Sequence, residues 1–515
     1  MQPNGESCKK QIENDSSTTP AEMLHNLHMA GHDREQSVLS VKESFGDLTV
    51  EDLCLIIVNE YYKPLIAKKE LKRLLLLCDY EETAITQAIS LHYPNPLGYV
   101  LMLDDSASMH SASFMIKIDA KAFIDCSRTE DEFGINRFEV HADWVYPSGI
   151  NPAPAVVTEE RGELTAAKSA INNLKTDGDW TNIGEAVSLA NAMIEKMTAV
   201  NKAYVLVSDG LSNHGTSPAA VLKDKPPIYI AGLGPYMRKS YFESMLSKNP
   251  KSKFYNSPNS YDMMMVFNQI LADSSQSLLT LNHRETYQGI DYNVQEFSIS
   301  GKGNCSLVNV VWSDDRCHYT PGCPNMGEIN LVLIDPDDHS TSIRPQIIED
   351  GFCIFDLRNV RPGRWKLLAQ YVFESPIWVT VGAIQTSAPV SVTVIGEQMV
   401  KAGETPSFTV QIAGTEAICD LKVNAVYSRP AVDFQNVIKT LGEKGSEADI
   451  IGKDVSRFPR VQELASLRET EAGIFNGSLG SVLNTGIINA YLTITGTYLD
   501  GTPFVAKKLH SVFVE

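Results

Sequence analysis

The sequence is short of several things, and each shortage narrows the field. Its greasiest runs, residues 53–58 and 74–77, fall far below the roughly 20 apolar residues that a membrane-spanning helix needs, so no transmembrane segment is expected. Basic residues are outnumbered: 44 Lys and Arg against 63 Asp and Glu leave a formal net charge of -19. A surface of that sign repels phosphate backbones and anionic lipid, which argues against nucleic acid and polybasic membrane docking. Nine cysteines in 515 residues, an odd number, make no disulfide framework. Cys54, Cys78 and Cys126 lie on apolar, helix-like stretches and read as small buried hydrophobes. Cys317 and Cys323 flank a Pro-Gly turn and can bridge only in an oxidising compartment. GxSxG, Walker A, CxxC, GxGxxG and HExxH are all missing, and with them the usual signatures of acyl hydrolysis, nucleotide binding, thiol redox chemistry and zinc proteolysis. The opening MQPNGESCKKQIENDSSTTP has no apolar h-region, so cytoplasmic synthesis is expected, with non-classical release as the alternative.

What is present is ordinary globular material: 43% hydrophobic and 21% charged residues. The length suggests roughly three or four domains. Residues 1–45 are polar and are expected to be disordered, apart from a weak helix near 21–29. Residues 46–95 show apolar side chains at three- and four-residue spacing, with Thr49 and Asp52 as a capping box and Pro94 and Pro96 closing the region. From 96 to 276 unbroken apolar strands (97–104, 203–209, 227–234) alternate with amphipathic helices. That pattern predicts a parallel sheet covered on both faces, a doubly wound, Rossmann-like α/β domain. Beyond 277 the runs alternate with period two between Gly, Pro, Asn and Asp, which predicts two β-sandwiches, 277–396 and 397–515, with a seam near 396–403. The fold class expected is therefore multidomain, α/β plus all-β.

Three distant segments carry hydroxyls and carboxylates to the same kind of place. The strand 97–104 runs into Asp104-x-Ser106-x-Ser108, Thr181 opens a helix, and the strand 203–209 ends on Asp209. In an open parallel sheet the C-terminal strand ends line one crevice, where ligands bind. The donors are all hard oxygens, with no thiol or imidazole, which suits Mg²⁺, with Mn²⁺ or Ca²⁺ as alternatives, rather than zinc or copper. Hydroxyls neutralise no charge, so a cation held partly by them stays electrophilic and attracts a carboxylate from a partner.

This order of DxSxS, threonine and later aspartate resembles the metal-ion-dependent adhesion site (MIDAS) of the von Willebrand factor A family, over about residues 96–276. The resemblance implies direct ligation by Ser106 and Ser108, direct or water-mediated ligation by Thr181, and largely water-mediated roles for Asp104 and Asp209. It also implies cell-adhesion-type protein–protein interaction rather than catalysis. The sequence departs from the family at Trp180, which stands where small residues are common; it is either an aromatic contact for the partner or a residue packed beneath the loop. Downstream, INLVLIDPDD, NVRPGRWKLLA with an inward Trp365, and ITGTYLDGTPF resemble the β-sandwich of calcium-activated chloride channel regulators and hemicentin-like proteins. Without an HExxH motif their self-cleavage does not carry over.

Each element also has a plainer reading. Alone, DxSxS is a turn, SDG a turn and Thr181 a helix cap. Asp105, Asp177, Asp179 and His214 read as solvated loop residues, and His25, His28 and His32 as part of a solvated tail. Asp335, Asp337 and Asp338 imitate the start of a calcium loop without its glycine and distal glutamate, and read as a hairpin turn. The leading expectation is a non-enzymatic binder of a protein partner's carboxylate through Mg²⁺. A docking subunit of a larger assembly, such as a secretion, coat or toxin-like complex, comes second, and a metal-dependent hydrolase third.

Overall fold

The computed structural model describes residues 18–61, 68–92, 95–210, 214–223, 226–234, 239–301, 305–358, 360–386, 388–414, 416–433 and 460–515. Pro94 and residues 1–17 of the expected disordered segment lie outside these. Five helices form the first unit: α1 Pro20–Met29, α2 Arg34–Ser44, α3 Val50–Glu60, α4 Lys68–Leu77 and α5 Glu82–His92. The first lies at the weak helix expected near 21–29, and the second falls where composition predicted disorder. Met23, Leu24, Leu27, Val38 and Val41 supply the reason, since all five join the core formed with Leu53, Ile57, Leu71 and Ile85, and tertiary burial of an apolar stripe stabilises helices that are weak alone. Thr19 and Glu22 complete a reciprocal capping box on α1. At Thr49 only half of the expected box forms: Asp52 N–H donates to the threonine hydroxyl, which in turn donates to the Asp52 carboxylate. His25 and His28 belong to no solvated tail, because both rings sit on the Glu60 carboxylate at 3.2 and 2.5 Å.

The second unit begins with the α/β layer. Its strands are β1 Leu97–Asp104, β2 Glu132–Phe138, β3 Ala142–Tyr146, β4 Ala155–Val156, β5 Asn201–Ser208, β6 Ile228–Leu233 and β7 Lys253–Ser257. They are ordered β3-β2-β1-β5-β6-β7, with β4 beside β2. The pairings β2–β1, β1–β5, β5–β6 and β6–β7 are parallel, while β3 and β4 run antiparallel to β2. Between the strands run α6 Ser113–Asp125, α7 Gly162–Asn172, α8 Ile183–Lys196, α9 Pro218–Val221, α10 Lys239–Leu246 and α11 Met263–Ser274. All eight residues of β1 are buried. Leu97, Tyr99, Leu101 and Leu103 face α6, α7 and α11, whereas Val100 and Met102 face α8 and α10. A strand covered on both sides has no polar face, which is why β1 reads as a continuous apolar run.

The chain moves outward from β1 to β2 and later returns to β1's other side with β5. This makes the β1/β5 boundary the topological switch point, where an open α/β sheet leaves a crevice at its strand ends.

After α11 the strands Leu278–Ile299 and Gly363–Gln385 run antiparallel within a seven-stranded sheet. A sandwich was expected over 277–396. Instead this single sheet lays part of its apolar surface, including Leu307, Val311, Phe352 and Ile384, into the core that holds Ile118, Phe123, Phe267 and Ile270 of α6 and α11. Helices take the place of a second sheet. Val390–Gly396 already pairs with Ser407–Gly414, so the change of sheet falls between 385 and 390, ahead of the predicted seam. The remaining strands form four- and five-stranded sheets that enclose Val392, Phe408, Val410, Ile488, Leu492 and Phe504. Asn489 and Ser511 bond the backbone of Asn256 on β7. Cys317 and Cys323 both carry free thiols, the first buried and the second exposed. Among the described residues, no helix is long and apolar enough to cross a membrane.

A buried amide chain fastens α11 to the seven-stranded sheet. Asn309 donates to Asn268 at 2.8 Å, and Asn268 donates to Asn282 at 3.2 Å. A methyl group on Gly382 would lie 2.2 Å from the Asn268 amide nitrogen, so that glycine makes room for the link. Asn268→Ala leaves the buried Asn309 amide without this acceptor and Asn282 without this donor, and is expected to cost about 1–3 kcal/mol. A lowered urea midpoint at unchanged slope would show this; an unmoved midpoint would show that the link holds nothing together.

Candidate metal centre

Strand β1 delivers Asp104 to its C-terminal end, 4% exposed. Leu103 pairs with Val207, so Asp104 arrives level with Ser208, the last residue of β5. Ser208 donates its hydroxyl to Asp104 Oδ2 at 2.6 Å and accepts from Gly210 N–H at 2.9 Å. Past Asp104 the chain turns. Ser106 donates its N–H to Asp104 Oδ1 at 3.1 Å and caps the 3-10 turn Ala107–Ala112. The hydroxyl oxygens of Ser106 and Ser108 lie 3.1 Å apart. Asp209 follows β5 directly and is fully buried. Burial first, and then the negative charge of Asp209, pushes the Asp104 carboxyl up to about 7, against the opposing hydrogen bonds from Ser106 and Ser208.

Thr181 reaches the same edge by a different route. The segment before α8 is tied to the DxSxS turn through Gly178: its carbonyl accepts from Ala107 N–H at 2.7 Å, and its N–H donates to the Asp105 carbonyl at 3.3 Å. One residue past Thr181, Asn182 donates its N–H to the Glu139 carbonyl at the end of β2, and its side chain accepts from Glu185 N–H to cap α8. Thr181 itself is 2% exposed. Trp180 is 49% exposed, with its ring 6.0 Å from that of His214, so it stands on the rim and not beneath the loop.

Asp105 corrects an expectation. It is no solvated loop residue: at 1% exposure its carboxylate accepts from Thr176 N–H and from the Arg137 guanidinium, each at 2.7 Å. Asp177, Asp179 and His214 are exposed, as loop residues are. Sequence reasoning missed Ser208, and the signal was available, since it is the polar residue that ends an otherwise apolar strand beside Asp209. It missed Arg137 and Glu139 as well; nothing in their local sequence shows that β2 ends beside β1. Far from this rim, Asp335 accepts from the N–H groups of Asp337 and His339, both at 2.9 Å, while Arg361 bonds Asp337 and Lys366 bonds Asp338. These acids form the turn that was expected.

This sheet edge thus holds two buried carboxylates, with the Ser106 and Ser108 hydroxyls in the turn after β1 and the buried Thr181 on a loop tied to that turn. Two buried like charges repel, and a divalent cation relieves that repulsion. The donors are hard oxygens throughout, so they fit a hard cation.

No protein-family model matches the chain, and no curated protein matches it in sequence. Solved structures similar to it include a von Willebrand factor type A protein from Catenulispora acidiphila, at 13% identity and TM-score 0.33 over 63% of each chain. The pilus adhesin SpaC from Lactobacillus rhamnosus GG, in its open conformation, is similar at 10% identity and TM-score 0.30, over 80% of this chain and 68% of that one. The vWF domain of the type V pili tip protein Mfa5 from Porphyromonas gingivalis is similar at 19% identity and TM-score 0.16, over 23% of this chain and 39% of that one. The chain therefore spans under two thirds of the Catenulispora protein. At these scores the α/β assignment rests on the strand order of the sheet itself.

Asp105 anchors the loop that positions Thr181. Asp105→Asn is expected to cost about 1–3 kcal/mol and to loosen that loop, seen as a lowered urea midpoint together with faster amide exchange at Thr176 and Gly178. Unchanged exchange would show that the loop holds without this carboxylate.

Proposed function

We propose that this chain is a non-enzymatic, adhesion-type binding protein that engages a partner protein's acidic residue through a Mg²⁺ held by Asp104, Ser106, Ser108, Thr181 and Asp209. The observation that carries this reading is the pair of buried carboxylates, Asp104 and Asp209, at the ends of adjacent parallel strands with serine hydroxyls beside them. The bound ion supplies a Lewis-acidic position that a carboxylate can occupy. Asp105, through Arg137 and the Thr176 backbone, keeps the rim in shape. Trp180, exposed beside Thr181, offers the partner an aromatic surface, a residue type enriched where binding energy concentrates. A docking role within a larger assembly draws support from the core that the α/β layer shares with the seven-stranded sheet, which lets the rim be presented on a stiff body.

Partner capture by the full chain is expected in Mg²⁺ and not in EDTA, and not by Asp104→Ala. Retention of the same partner under all three conditions would remove the metal from the account. The pH dependence has a definite sign. In the metal-free protein the Asp104 carboxyl is raised to about 7, so its contribution to stability is present at low pH and lost as pH rises through that value. Mg²⁺ must displace the remaining proton. Its Kd is therefore expected to weaken by up to roughly tenfold from pH 7 to pH 6 and to level off above 8. Calorimetric titration of Mg²⁺ across that range tests this, and a flat profile would show that Mg²⁺ displaces no proton from Asp104.

A further inference from the structure

The long strand Leu278–Ile299 pairs along one side with Gly363–Gln385, and among the described residues no strand pairs with its other side. Between the buried Tyr287 and Phe297 it is mostly exposed, and there Ile290, Tyr292 and Val294, two residues apart, share one face. Their exposures are 83%, 65% and 41%. The residues beside them on the neighbouring strands, Val372, Gln370 and Leu368 and then Asn330 and Val332, are half-buried or buried. Cover is therefore lacking at the edge and not over the whole face. What the edge lacks is a further strand.

Exposed edges are commonly guarded by Lys or Pro, which discourage a further strand. The stretch 288–296, QGIDYNVQE, has neither. It is instead complementary to itself. Tyr292 lies midway between Tyr287 and Phe297, and an antiparallel copy related by a two-fold there sets Ile290 opposite Val294 of the second copy and Tyr292 opposite Tyr292. Asp291 then faces Asn293 and Glu296 faces Gln288, so no two carboxylates meet. Neighbouring registers fit worse. A two-fold on Asp291 sets that carboxylate against its own copy, and one on Asn293 sets Ile290 against Glu296. Gly289, with φ 82° and an irregularity in the pairing beside it, would fall at the heart of any register centred farther back, and falls near the end of this one.

We propose that this edge is a docking surface for a second copy of the chain, joined by antiparallel pairing of residues 288–296 about Tyr292. The backbone groups of the edge gain hydrogen-bond partners, and the apolar side chains meet across the two-fold. None of the residues assigned to the metal takes part, so the pairing stands or falls apart from that reading.

Sedimentation velocity of the full chain, from about 1 to about 200 µM, is expected to show a monomer passing into a dimer, since a small interface associates weakly. Ile290→Lys is expected to raise the dimer Kd roughly tenfold or more, with the urea midpoint unchanged because that side chain is exposed. Val200→Lys, 76% exposed elsewhere, is expected to leave the Kd as it is. The register is read by cross-linking with a short bismaleimide in a Cys323→Ser, Cys419→Ser background, against the same background without an added thiol. Ile290→Cys mixed with Val294→Cys is expected to give covalent dimer several times faster than either alone. A single monomeric species at every concentration would overturn the proposal, as would a dimer that Ile290→Lys leaves intact. Cross-linking of Ile290→Cys alone as fast as the mixture would place the two-fold elsewhere and overturn the pairing about Tyr292.

Discussion

Asp104 and Asp209 are held at the ends of two neighbouring parallel strands, and neither can retreat into solvent. β1 is buried along its whole length and β5 along nearly all of it, so the register that pairs Leu103 with Val207 also sets the two acids close together. The electrostatic cost is visible in the Asp104 carboxyl, pushed up to about 7 by burial and by its neighbour. Hydrogen bonds from Ser106 and Ser208 lower that cost without removing it. The hydroxyls and the turn are already in place beside the two acids, which is what the proposed cation site requires.

Around that pair the structure places groups whose function is positional. Asp105, one residue along, has its carboxylate used up by Arg137 and the Thr176 backbone, so adjacent aspartates have opposite duties. Gly178 lets the loop before α8 come within hydrogen-bond reach of the DxSxS turn, and the contact with Glu139 leaves no space for a side chain there. Trp180 then gives the rim an exposed aromatic neighbour.

The β-rich half is more than a spacer. Its first sheet completes the packing of α6 and α11, with Asn268, Asn282 and Asn309 sealing the contact, and its last strands grip β7 through Asn489 and Ser511. Forces on these strands are therefore transmitted into the same body that carries the rim.

By itself the sequence determined the alternation of buried strands and amphipathic helices, and the types of donor at the ends of β1 and β5. Both are local properties: an apolar run is legible residue by residue, and an acid or a serine at its end is a covalent fact. It did not determine that residues 34–44 are helical, because the burial that stabilises that helix comes from the other helices of the unit. Nor did it show that the first β segment forms one sheet against helices, because alternation reveals an apolar face and not what covers it. Only the tertiary structure separated Asp104 from Asp105, whose local sequence environments are nearly identical. Their difference arises from β2, which brings Arg137 to one of them, and from β5, which brings Ser208 and Asp209 to the other.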